Sequence, residues 1–224
     1  MENPDMADYK LKKRLLKLLY DHKEEHVGSC FTCLDIIDDI YSKKNPDDIF
    51  ILSNGHAAFA LYVILEKYHD DVDADELFLK HGGHPNLDEE NGIYCSTGSL
   101  GLGILVAVGR ALAAPHKKVF VTITDGECAE GSVWEALRFI KERNIQNIEV
   151  HVNANGYACY DHIDVDYLEK RIKAFLPEAV FHRTSVAQFP FLRGLDAHYM
   201  KMTEEEYNLG INILEQKEKE ANEC

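Results

Sequence analysis

Apolar positions along this chain alternate between a helical period and short continuous runs. In DYKLKKRLLKLLYDHKEEH, Leu11, Leu15, Leu18 and Leu19 share one stripe with lysines opposite, which predicts a helix over 8–26. HVGSCFTCLDIIDDIYSKKNPDD has a helical centre and stops at Pro46 among acidic turn residues. IFILS predicts a buried strand, and NGHAAFALYVILEKY a helix directly after it. HGGHPNLDEENG is polar and without period, so a surface loop is expected there. STGSLGLGILVAVGRALAA begins glycine-rich and becomes an apolar helix.

The second half is sharper. KKVFVTIT is a β-branched run of the kind buried on both faces in a parallel sheet, and DGECAEGSVWEALRFIKERN turns from it directly into a helix. IEVHVNANG reads as a strand, DVDYLEKRIKAFLP as a helix, VFHRTSV as a strand, and the increasingly charged TEEEYNLGINILEQKEKE as a helix over 203–220. Helices alternating with short apolar strands predict an α/β fold, a doubly wound and mainly parallel sheet flanked by helices. Neither a repeat nor a linker divides the sequence, so a single domain over 1–224 is expected.

The formal net charge of −15 makes phosphate backbones and anionic lipid surfaces poor general partners: no nucleic acid, no membrane. It leaves room for a small anion held by a metal or by backbone amides. No run approaches the roughly 18 apolar residues of a membrane span, and Met1 to Lys10 carries no apolar signal core, so a cytoplasmic location is expected. The six cysteines then read as reduced thiols. Cys30 and Cys33 have half of a zinc spacing, but no second pair follows, and they read as small packing residues of a helix.

Ligands of open α/β sheets bind beyond the carboxyl ends of the strands. Two ends carry suitable chemistry: Asp125-Gly126-Glu127 after VFVTIT, and Asn153-Ala154-Asn155-Gly156 after IEVHV. The separation of Asp125 and Asn155 matches one strand–helix–strand unit, which sets the two tips side by side. A carboxylate and a carboxamide oxygen suit Mg²⁺ or Ca²⁺. Gly126 allows close backbone approach, and a helix starting near Glu130 offers free N–H groups, so a metal-bridged diphosphate is the favoured ligand. Either tip alone would be an ordinary turn or cap.

TDGECAEGSVWEALRFIKERNIQNIEVHVNANGY resembles the thiamine-diphosphate motif of transketolases. EEHVGSCFTCLDII, IFILSNGHAAFALY and GGHPNLDEENGIYCSTGSLGLGILVAVGRAL match the same family in order, so the resemblance runs from His26 to Tyr157, and more weakly to Tyr207. It implies thiamine diphosphate as cofactor, with Asp125, Asn155 and the carbonyl of Tyr157 as metal ligands. Gly126 and Glu127 would lie beside the diphosphate, and Glu130 near the cofactor and a subunit interface. Gly98, Leu100, Gly101 and Gly103 match the glycine-rich loop that passes close to the cofactor. His26, His56 and His84 match the three histidines lining the phosphates and the substrate channel, where imidazole can donate to hydroxyls and move protons near neutral pH. His198 aligns only weakly with a late histidine loop, and His81 and His116 are left as surface residues.

The sequence also departs from that family. Thr124 stands where the first glycine of Gly-Asp-Gly is usual, and a single helix fills the space between Tyr157 and VFHRTSV where a further strand and helix are usual, so the sheet should be one strand smaller. Nothing resembling the pyrimidine-binding half follows. The implied protein is the N-terminal subunit of a split transketolase, moving a two-carbon ketol unit between a sugar or sugar-phosphate donor and an aldose. Its partner would be a separate C-terminal, pyrimidine-binding subunit, with self-association into an assembly of two copies of each. Another thiamine-diphosphate enzyme acting on a 2-oxo acid, or a non-catalytic degenerate half, remain alternatives. A nicotinamide dehydrogenase is disfavoured, because no GxGxxG follows an early strand.

Overall fold

The computed structural model describes residues 8–158 and 161–223, with 196 and 197 described by backbone alone. Helix α1 (Tyr9–Asp21) is capped by Asp8, whose side chain accepts from the Leu11 amide at 2.9 Å, and it buries the predicted leucine stripe. It ends five residues before the expected boundary of 26. Lys23 and His26 adopt left-handed backbone conformations (φ 55° and 63°), which no α-helix can accommodate, and α2 (Val27–Lys43) starts immediately after the second of them.

Strand β1 (Ile49–Leu52) leads through a 3₁₀ turn at Gly55–Ala57 into α3 (Ala58–Tyr68). Helix α4 (Ala74–His81) occupies a stretch that hydropathy left unassigned. Its signal lies in its ends: Asp73 accepts from the Glu76 amide at 2.9 Å, and Gly82 at φ 73° terminates it. Next come α5 (Gly103–Ala113), β2 (Val119–Thr124), a 3₁₀ turn at Gly126–Ala129, α6 (Gly131–Glu142) and β3 (Ile148–Ala154). Then α7 (Val165–Phe175), β4 (Val180–Arg183) and α8 (Glu204–Asn222) complete the order. Thr203 and Glu206 form a capping box that sets the start of α8 one residue later than expected.

All four strands are parallel and lie in the order β1-β2-β3-β4. Alternation along them sends side chains to two cores. Phe50, Leu52 and Phe120 pack with α1, α2 and α3, while Ile49, Ile51, Val119, Val121, Ile123, Val150 and Val152 pack with α5, α6 and α7. The expected α/β fold with helices on both faces is therefore present. One helix, α7, joins the Tyr157 region to β4, and β4 forms one edge of the sheet, opposite β1. Helix α8 closes over α1, with Tyr20 and Tyr207 stacked at 4.4 Å and Gly210 so near Leu16 that an added Cβ would stand 2.7 Å from its Cδ2. In a parallel sheet every carboxyl end lies on one side, so Asn54, Asp125, Asn155 and Thr184 emerge together.

The loop 81–92 is less exposed than its composition suggests. The Asp88 carboxylate is buried and bonded to Lys80 Nζ at 2.7 Å, Asn91 Nδ2 at 2.7 Å and His81 Nε2 at 3.0 Å. His81, expected at the surface, has a side chain only 3% exposed, because Asp88 draws its ring inward. His116 is exposed as expected. Among the described residues no helix is long and apolar enough to cross a membrane.

Candidate functional site

A cleft opens beyond the tips of β2 and β3. Its wall includes Thr124, Asp125, Gly126, Asn155, Tyr157 and His56, so the two strand ends paired in the sequence do meet. Asp125 ties those ends together. Its Oδ1 accepts from the Gly126 amide at 3.0 Å, its Oδ2 from the Gly156 amide at 2.6 Å, and its own amide donates to the Asn153 carbonyl at 3.0 Å. Asn155 Oδ1 accepts from the Tyr157 amide at 3.0 Å, which curls the chain so that the Tyr157 carbonyl faces Gly126. A Cβ on Gly126 would stand 3.7 Å from that oxygen.

Beneath this floor lies a buried polar network. Asn153 Nδ2 donates to Thr32 Oγ1 at 2.9 Å and Cys33 Sγ at 3.1 Å, Thr184 Oγ1 donates to Asn153 Oδ1 at 2.6 Å, and Asn54 Nδ2 donates to Cys33 Sγ at 3.1 Å. It ties the ends of β1, β3 and β4 to α2 behind the cleft. Cys33 is thus a fully buried packing and acceptor group, and burial pushes its thiol up to about 11.

Glu127, expected beside the diphosphate, is placed elsewhere. Its carboxylate is fully buried and accepts from Ser53 Oγ at 2.6 Å, the Gly101 amide at 3.0 Å and the Thr124 amide at 3.1 Å. These three bonds hold it under the floor, where it ties β1, β2 and the glycine-rich loop together. Of that loop only Leu100 reaches the cleft wall. Gly98, Gly101 and Gly103 approach protein instead: a Cβ on Gly101 (φ 77°) would stand 2.5 Å from Ser132 Oγ, and one on Gly103 2.6 Å from Ser53 Cα. Glu130 is exposed and precedes the first turn of α6 beside Gly101, without a side-chain capping bond.

Histidines gather on the opposite side. His26 packs against His56 (5.2 Å between ring centroids) and edge-on against His198 (4.4 Å), and His56 lies 5.7 Å from His198. His84 sits against Gly98, near enough for its charge to oppose protonation of both His26 and His56. The expected trio is therefore one cluster, and His198 joins it. Of the four, His56 and His198 line the cleft itself. His198 is fixed by the His26 amide, which donates to its carbonyl at 3.1 Å. The left-handed backbone of His26 makes this possible, a conformation that a non-glycine residue holds at a cost. The wall residues Gly28, Ser29, Val186, Gly194 and Leu195 carried no sequence signal beyond the nearness of some of them to these histidines.

Electrostatics set the character of the cleft. Burial pushes the Asp125 carboxyl up to about 6, against the amide bonds that favour its ionised form. Burial, with the neighbouring histidines, pushes His26 down to about 4 and His56 down to about 3; burial also lowers His198, opposed by Glu25. Among the described residues no lysine or arginine lines this cleft. A desolvated carboxylate, a carboxamide oxygen and a nearby carbonyl form a hard-oxygen set suited to Mg²⁺, and the residues present fit a cation-bound diphosphate.

Comparison with known proteins bears on this geometry. The family described as transketolase, thiamine diphosphate binding domain, matches residues 41–179, which include the floor and His56 and His84. The chain belongs to this family. It is 32% identical over 174 residues to a subunit of the apulose-4-phosphate transketolase of Phocaeicola vulgatus, covering 69% of this chain and 62% of that protein. Against the protein of the same name from Actinobacillus succinogenes it is 30% identical over 181 residues, covering 67% and 63%. The chain thus spans less than two thirds of either relative. The fold matches the transketolase of Campylobacter jejuni subsp. jejuni with a TM-score of 0.70 at 19% identity, over 94% of this chain and 43% of that one.

Proposed function

We propose that this chain is the diphosphate-binding subunit of a thiamine-diphosphate-dependent ketol-transferase, acting in the cytoplasm with a separate pyrimidine-binding subunit in an assembly with two copies of each. The observation that carries this reading is the cleft in which Asp125, Asn155 and the Tyr157 carbonyl converge opposite His56 and His198, with no lysine or arginine among its described lining residues. Both relatives are named as one subunit of their transketolase, which supports a second chain, and their common substrate name supports a sugar phosphate among the substrates.

Bound thiamine diphosphate supplies the nucleophilic carbon and electron sink for moving a two-carbon unit from a ketose to an aldose. The protein's part is positional. Asp125 Oδ, Asn155 Oδ1 and the Tyr157 carbonyl would hold Mg²⁺ (or Ca²⁺), which would supply positive charge for the diphosphate in an otherwise anionic protein. Glu127 keeps Gly101 and the β1 and β2 ends in register beneath it. At neutral pH the imidazoles of His26 and His56 are uncharged, so each offers one N–H donor and one acceptor to a sugar hydroxyl and can take up a proton. His198 lines the cleft with His56, and His84 lies behind them against Gly98.

Calorimetric titration with thiamine diphosphate tests the assignment. Binding is expected with MgCl2 and lost with EDTA, and Asp125→Ala should abolish it. Unchanged affinity in either case overturns the metal site. In the presence of the pyrimidine-binding partner, turnover of a ketose donor but not of pyruvate separates this reading from a 2-oxo acid enzyme.

A further inference from the structure

Asn153 is the last residue of β3 paired on both sides, with Thr124 of β2 and His182 of β4. Its backbone carbonyl accepts from the Asp125 amide at 3.0 Å, and Asn155 follows two residues on, so the two side chains of the cation floor hang from this one residue. The Asn153 side chain is 1% exposed, and its carboxamide must find partners within the protein.

Those partners allow one orientation. Thr32 Oγ1 donates to the Ser29 carbonyl at 3.0 Å, so toward Asn153 it presents lone pairs and accepts from Nδ2 at 2.9 Å. Cys33 Sγ accepts from the same amide at 3.1 Å. Oδ1 is left facing β4, where Thr184 Oγ1 donates to it at 2.6 Å. A flipped carboxamide would set Oδ1 against the lone pairs of Thr32. An aspartate would do the same and add a charge to a floor that already buries Asp125 and Glu127. Thr184 thus decides which way Asn153 is held.

Thr184 grips β3 twice, because its amide also donates to the Ala154 carbonyl at 2.9 Å. It does not line the cleft, but it stands where the chain leaves β4 for the stretch that brings Val186, Gly194, Leu195 and His198 to it. Without the hydroxyl, Oδ1 loses its donor, the carboxamide can turn, and the Asn153 peptide that accepts from Asp125 turns with it. We propose that Thr184 is a positioning residue for the cation site. Acting through Asn153, it fixes the spacing of Asp125 and Asn155 and so tunes cation affinity from outside the cleft, as groups behind metal ligands do. The inference rests on the cation reading of the proposed function, while the clamp itself can be measured without any ligand.

Two measurements on the full chain test this with Thr184→Val, which keeps the shape and removes the hydroxyl, and Thr184→Ser, which keeps the hydroxyl. In amide hydrogen exchange followed by NMR without ligand, Thr184→Val should speed exchange at Asp125 and Gly156 by about tenfold while Val121 and Val150 keep wild-type rates. Thr184→Ser should match the wild type at all of these amides. In calorimetric titration with thiamine diphosphate and MgCl2, Thr184→Val should raise the dissociation constant about tenfold and Thr184→Ser should restore it. If the valine variant does not fold, Thr184→Ala carries the same expectations and adds no bulk. Unaltered exchange at Asp125 overturns the proposal, as does equal acceleration at every amide, which would mark loss of fold rather than of position. So does a serine variant that behaves like valine, or an unchanged affinity in the valine variant. A wild type that binds no thiamine diphosphate overturns instead the cofactor reading, and the exchange rates then decide the clamp by themselves.

Discussion

Asp125 is a carboxylate placed where ionisation is costly, and Asp125→Asn turns that cost into a measurable profile. Burial raises its folded pKa from 3.8 to about 6. A raised acid is the reverse of the usual salt-bridged carboxylate. Between pH 3.8 and 6 the folded state holds a proton that the unfolded state has lost, so folding is penalised progressively as pH rises through that window. At about 1.36 kcal/mol per unit the full penalty is about 3 kcal/mol at neutral pH. The variant escapes it. It also gives up an acceptor: the two carboxylate oxygens serve the Gly126 and Gly156 amides, and a carboxamide offers only one oxygen. Stranding one amide costs about 1–2 kcal/mol at every pH.

The two effects have opposite signs and different pH dependence, so the stability curves must cross. Below about pH 4 Asp125→Asn should be less stable than the wild type by about 1–2 kcal/mol, and at about pH 7.5 more stable by a similar amount, with the crossing near pH 5. Urea unfolding followed by circular dichroism at half-unit pH steps reads the difference directly, and histidine titration cancels between the two proteins. Adding MgCl2 at the higher pH should stabilise only the wild type, since the cation replaces the solvation that Asp125 lost. Parallel curves without a crossing would refute the buried, desolvated carboxylate.

Two further outcomes follow from groups around the floor and wall. Glu127→Ala leaves Ser53 Oγ and the Gly101 and Thr124 amides without an acceptor; a loss of about 3–5 kcal/mol in urea unfolding is expected. Faster hydrogen exchange at the Gly101 amide would mark release of the glycine-rich loop, and unaltered exchange there would deny Glu127 its tying role. His56, held neutral by burial with a folded pKa near 3, contributes stability that is complete above its unfolded value of 6.5 and is lost as pH falls below it. His56→Gln should therefore flatten the acid limb of the stability curve by up to about 1.4 kcal/mol per pH unit between about pH 5.5 and 4; an unchanged slope would place that titration elsewhere.

The strands and the floor were legible in the sequence because their signals are local. VFVTIT could only be a strand buried on both faces, and the tips that carry Asp125 and Asn155 are set by one strand–helix–strand length. The misread parts share a different cause. The break after Asp21 depends on two left-handed residues that no hydropathy period encodes, and α4 is announced by caps rather than by its apolar content. Glu127 sits in the right motif but points away, because Ser53 and Gly101, far apart in the chain, converge on it only in the fold. The burial of His81 likewise needs Asp88 to be turned inward. His198 follows His26 by nearly the whole chain, and what joins them is a backbone hydrogen bond and an edge-on ring contact made only in the fold.

The charge of the chain and the composition of the cleft together narrow how an anion could be held. A diphosphate entering a protein of net charge −15 must be met by positive charge at short range, because the global field opposes it. Fixed cations are missing from the described lining, and the lining histidine whose state is best defined, His56, is pushed toward neutrality. Backbone amides are partly committed, since Gly126 and Gly156 already donate to Asp125. That leaves a mobile cation at Asp125 as the group able to reverse the local field. The same cation would remove the penalty that burial imposes on Asp125, so the feature that destabilises the empty site is the one that couples cation binding to folding. A protein that used a lysine or arginine instead would bind its anion without metal. This one, by the physics of its own cleft, should not.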